Sequence, residues 1–140
     1  MSRETPRAGR VAGLILTVAI VELTLTTAYI HYSLGGLLFT LNGIGYAVLA
    51  ASLVAVALHP GGLIGRFGWL PRIGLAGYTL VTIAGYLVMG PYFALGWIAK
   101  AVEVAILTLL AADLRNTVGA ARSWVAAWRA RPDSNRRSPA

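Results

Sequence analysis

Glu22, Lys100 and Glu103 each stand inside a long apolar run of a 140-residue chain. Lys100 and Glu103 are three residues apart, which puts them on one face of any helix that carries the run. Charges so placed can hold a proton, bind an ion or pair with one another. If the runs cross a bilayer, each charge facing hydrocarbon costs about 2.5–3.5 kcal/mol, and three would cost roughly 8–10 kcal/mol. The expectation is therefore that all three point inward. Lys100 can neutralise either glutamate but not both, so one carboxyl is left without a cation.

Smaller polar groups extend this set. Asn42 lies in the second apolar run, and Thr79, Thr82 and Tyr86 recur at helical spacing in the third. Glu22, Thr26 and Tyr29 do the same in the first. The expected intramembrane polar core is Glu22, Asn42, Thr79, Thr82, Lys100 and Glu103, with Tyr46 and Tyr86 beside it, opening near His31. Two readings of it stand: a site for a proton, ion or small solute, or simple packing. Interhelical polar bonds in membranes average about 0.6 kcal/mol and often serve assembly alone.

Other chemistries lack residues to carry them. The chain has no cysteine, hence no thiolate nucleophile and no cysteine-ligated metal. It contains no HExxH, no GxSxG and no paired carboxylates at metal-ligand spacing. Gly35, Gly36, Gly43 and Gly45 lie in or beside a spanning run and read as helix contacts, not a phosphate loop. His31 and His59 fall at opposite ends of successive runs, too far apart to share a haem iron. No catalytic residue, metal or cofactor is expected.

The elements that must position these residues follow from composition. Hydrophobic residues make up 57% of the chain and charged residues 12%, with a mean hydropathy of +0.69. Soluble domains carry roughly 25% charged residues, so a water-soluble globule is disfavoured. Four apolar segments, about 11–32, 36–58, 72–89 and 92–113, approach the roughly 20 residues that span a bilayer as a helix. Hydrocarbon demands internally satisfied backbones, so helices win despite the many β-branched residues. The first segment is too long for a signal-peptide core, and Tyr29-Ile30-His31-Tyr32 makes a poor cleavage site, so it is expected to be retained.

Eleven arginines punctuate the segments. Arg3, Arg7 and Arg10 precede the first; Arg66 and Arg72 separate the second and third. Arg115, Arg122, Arg129, Arg131, Arg136 and Arg137 follow the fourth, and the other two turns have none. The positive-inside rule places both termini and the middle loop in the cytoplasm, as an even number of spans requires. The net charge of +7 is thus a topology signal and not a nucleic-acid signature.

Residues 115–131 read as an amphipathic cytoplasmic helix, and 132–140 as a disordered tail. Arg115, Arg122, Trp124, Trp128 and Arg129 suit an interface with anionic lipid headgroups.

In outline, with four spans and a glutamate in the first, the chain resembles the small multidrug resistance transporters. That family relies on one membrane-embedded glutamate of helix one as a proton-coupled site. Lys100, Glu103 and the basic C-terminal stretch depart from its pattern, so no residue role is carried over. The expectation is an all-α integral plasma-membrane protein, a four-helix up-down bundle over 11–114 with a basic N-terminus at 1–10. Its expected function is to bind or move a proton, ion or small solute, as a homo-oligomer or within a larger complex. The alternative is a non-catalytic structural subunit.

Overall fold

The computed structural model describes the backbone of residues 6–129, with side chains placed for residues 9–114. The described residues form five helices: α1 Pro6–Leu34, α2 Leu37–Leu58, α3 Gly62–Arg66, α4 Leu70–Met89 and α5 Ala94–Arg129. Four stretches are long and apolar enough to cross a membrane: Gly9–Leu34, Leu37–Leu58, Leu70–Met89 and Ala94–Leu114. At 1.5 Å per residue the 22 residues of α2 reach about 33 Å, the thickness of a hydrocarbon core.

Local chemistry sets the ends. Gly35 and Gly36 adopt φ of 70° and 81°, a left-handed pair that reverses the chain between α1 and α2. Pro71 occupies the first turn of α4, where a missing N–H costs nothing. Gly90 leaves helical geometry at ψ 144° immediately before Pro91, which disfavours helix in the preceding residue. The connection expected as plain loop between α2 and α4 contains the short α3.

The long helices close a ring. α1 packs against α2 and α5, and α4 packs against the same two from the opposite side. Sequence neighbours are thus spatial neighbours, the up-down order expected of short connections. Gly43 lets α1 and α2 approach closely: a Cβ there would lie 2.8 Å from the Ala28 carbonyl oxygen and 3.2 Å from the Tyr32 nitrogen.

The interior changes character along its length. Ile20, Leu53, Leu75, Ile106 and Leu110 fill the half nearer α3. Thr24, Thr27, His31, Tyr46, Thr79, Lys100 and Glu103 fill the half nearer the α1–α2 turn. At the α3 end the apolar half is capped by an ion pair, Arg72 Nε to Asp113 Oδ2 at 2.5 Å, while Arg72 Nη1 donates to the Gly68 carbonyl.

The sequence reading treats the fourth span, to about residue 113, and the amphipathic segment 115–131 as separate elements. The backbone runs through both as one helix from Ala94 to Arg129. Residues 97–118 contain neither glycine nor proline, so nothing interrupts the backbone ladder. The side chains of Arg115, Arg122, Trp124, Trp128 and Arg129, and the tail from 130 onward, lie outside the described residues.

Candidate functional site

The polar half of the bundle is organised around Glu103, which is completely buried. Lys100, one turn earlier on α5, places Nζ 2.5 Å from Glu103 Oε2. Its second hydrogen bond goes to the Thr82 carbonyl of α4 at 3.3 Å, and the ammonium sits 5.4 Å from the Tyr86 ring centroid. An ammonium carries three donors, so one remains for another partner.

The second carboxylate oxygen faces α1. Thr27 Oγ1 lies 3.5 Å and His31 Nε2 3.6 Å from Glu103 Oε1. His31 Nδ1 is 2.8 Å from the Thr27 carbonyl oxygen, which can only accept, so Nδ1 carries hydrogen. Nε2 is therefore the nitrogen that can take up or give up a proton beside Glu103. His31 and Thr27 are both buried.

Two tyrosines and two threonines close the far wall. The Tyr46 hydroxyl shares a 2.7 Å hydrogen bond with Thr82 Oγ1, and its ring packs 5.5 Å from His31. Tyr78 donates to the Asn42 carbonyl at 3.3 Å and meets Tyr46 edge-on at 5.0 Å. Thr79 is fully buried, and its hydroxyl has no hydrogen-bond partner among the described residues.

A cavity of about 350 Å³ opens beside this cluster, between the first half of α2 and the second half of α4. Lys100 and His31 form its polar floor, and Phe39, Val81, Tyr86 and Met89 give it apolar walls. Gly85 lines it too, and a Cβ at that position would meet nothing within 4 Å. Asn42 lies on the wall with its side-chain amide bonded to no described residue. A largely apolar chamber with a few convergent polar groups is the usual form of a small-molecule site.

The predicted core is therefore assembled in part. Lys100, Glu103, Thr79 and Thr82 come together, and Asn42 joins them along the cavity wall. Glu22 does not. It is exposed on the outer surface of α1, with no described side chain bonded to its carboxyl. The stripe chosen from sequence, Glu22–Thr26–Tyr29, is the outward one; Thr26 satisfies its own hydroxyl on the Glu22 carbonyl at 2.8 Å. The inward stripe is Thr24–Thr27–His31, at the same helical spacing but without a carboxylate to advertise it. Thr27 is the functional candidate missed altogether, and His31 had been read only as marking the opening.

Three or more metal-ligating side chains are not grouped anywhere among the described residues. No protein-family model, curated protein or solved structure matches this chain.

Proposed function

We propose that this small polytopic membrane protein binds a small lipophilic solute at the Lys100–Glu103–His31 cluster and exchanges a proton there. The observation that carries the reading is a buried ion pair whose lysine lines a cavity of about 350 Å³ and has one donor left after its bonds to Glu103 and Thr82. A solute with an apolar body and one hydrogen-bond-accepting group fits both surfaces. Its acceptor would take the third Lys100 donor, and its body would fill the space between α2 and α4. His31 Nε2 and Glu103 supply the groups able to give or receive a proton when that contact forms. The role read from these groups is binding or transfer.

A purely structural role for the ion pair is the weaker reading. Lys100 and Glu103 sit on the same helix, so their bond cannot by itself fix one helix against another. The contacts that do cross between helices are long, at 3.3–3.6 Å. A role as an assembly subunit of a larger membrane complex draws its support from elsewhere, from Glu22 on the outer surface.

The arginine distribution supports a plasma-membrane topology with both termini and the α2–α4 connection in the cytoplasm. The cluster and cavity then lie in the outer half of the bilayer. The basic, tryptophan-bearing segment 115–131 then meets anionic headgroups on the cytoplasmic side.

The test is to purify the protein in its native lipid and identify every bound small molecule by mass spectrometry. Gly85→Leu should fill the cavity without touching the ion pair. A solute held by the native protein and depleted at least about tenfold in Gly85→Leu supports the reading. A bare native protein, or a solute retained unchanged by the variant, contradicts it.

A further inference from the structure

The cavity beside Lys100 is chemically one-sided. Its polar lining is Lys100, His31, Asn42, Thr82, Tyr78 and Tyr86, and no aspartate or glutamate is among the lining residues. Glu103 lies behind that lining, with Oε2 on the Lys100 ammonium and Oε1 3.6 Å from His31 Nε2. The three hydroxyls are engaged: Thr82 with Tyr46, Tyr78 with the Asn42 carbonyl and Tyr86 with the Phe93 carbonyl. The lining thus offers an anion a charge to meet, and offers a cation none. The way in is apolar. Leu38 and Leu41 of α2 and Val81 and Met89 of α4 line the cavity and are exposed on the outside of the bundle, so it opens sideways toward lipid. A head group entering there must be uncharged, because hydrocarbon penalises the ionised form. The volume of about 350 Å³ lies at the low end of the roughly 300–1,000 Å³ of small-molecule sites, which suits one chain and not a two-chain lipid.

Resting on the reading of this cavity as a solute site, we propose that its solute is a single-chain carboxylic acid, which enters from lipid as the neutral acid and is held as the carboxylate. The O–H bond of the acid breaks, and its proton goes to the lone pair of His31 Nε2. The Nδ1 hydrogen stays on the Thr27 carbonyl. The electron pair of the broken bond remains on the solute carboxylate, which accepts the third Lys100 hydrogen. Net charge is unchanged. Solute carboxylate, Lys100, Glu103 and His31 then alternate in sign, so each new buried charge has an opposite neighbour. The titratable and charged groups facing His31 are Glu103 and Lys100 of α5 and Tyr46 of α2.

The test places the full chain in phosphatidylcholine nanodiscs and compares decanoic acid, decanamide and decylamine, with empty discs as the blank. Decanoic acid should bind about tenfold more tightly than decanamide, because charge-assisted hydrogen bonds are about twice as strong as neutral ones, and decylamine should not bind. The chain has only two histidines, so nitrogen NMR of histidine-labelled protein follows the proton directly, with His59→Gln assigning the signals. His31 should become an imidazolium with decanoic acid and stay neutral with decanamide. His31→Gln, which cannot take the proton, should lower the affinity for decanoic acid to that for decanamide. Equal binding of acid and amide, preference for the amine, or a neutral His31 in the acid complex overturns the proposal. If Gly85→Leu then abolishes that binding, the cavity is still a solute site and only the solute class is wrong. No probe bound above the blank overturns both.

Discussion

Glu103 and Glu22 each lie near the middle of a transmembrane-length stretch, yet their surroundings are opposite. Glu103 is enclosed by the bundle, with Lys100 on one oxygen and Thr27 and His31 close to the other. Glu22 faces outward from α1 with an apolar surface on every side. Burying a charge is tolerable where partners are built around it, and removing a partner is then costly. A charge on the outer surface costs free energy at once, and the fold of one copy gains nothing from it. The comparison separates two settings for one residue type: Glu103 belongs to the interior cluster, and Glu22 to the outer surface of α1.

The largest expected effect is on the enclosed side. Glu103→Leu leaves Lys100 buried without its counter-charge and should destabilise the protein by about 3–5 kcal/mol in thermal or denaturant unfolding in detergent. Lys100→Met combined with Glu103→Leu should recover most of that loss, since the apolar pair needs no partner. If the single and double variants are equally unstable, the pair is not the unit that matters.

Next comes the scaffold that holds the inward stripe of α1 in place. Gly43→Ala drives a Cβ into the Ala28 carbonyl and should cost about 1–3 kcal/mol through separation of α1 and α2. Gly77→Ala, where a Cβ meets nothing within 4 Å, is the matched control and should be neutral or slightly stabilising. A smaller loss, about 1–2 kcal/mol, is expected for Arg72→Ala, because this ion pair is partly exposed at the α3 end. The smallest effect on the isolated protomer is on the outward side: Glu22→Leu should leave unfolding stability within about 0.5 kcal/mol. A large loss there would place Glu22 inside and dissolve the contrast with Glu103.

The helical architecture and its four spans were legible because length and apolar content dominate when the backbone must satisfy itself. The Lys100–Glu103 pairing was legible for a similar reason, three-residue spacing on one helix. The facing of α1 was not. Its outward stripe holds the carboxylate, while its inward stripe holds only Thr24, Thr27 and His31. Reasoning from the cost of charge in lipid therefore chose the wrong side. That cost applies to a lone protomer, and a surface that is covered in an assembly escapes it. The pairing of Arg72 with Asp113 was also invisible, since both read as boundary charges 41 positions apart. The cavity is lined jointly by α2 and α4, with Phe39 on one and Gly85 on the other, a packing property that no single segment encodes.

The central claim, that the two glutamates serve separable functions, is tested most directly by native mass spectrometry of the intact protein released from its own lipid. The native chain should appear carrying a small solute. Glu22→Leu should keep that solute, and Gly85→Leu should have lost it. A bare native protein, or a Glu22→Leu variant that loses the solute, would contradict the account.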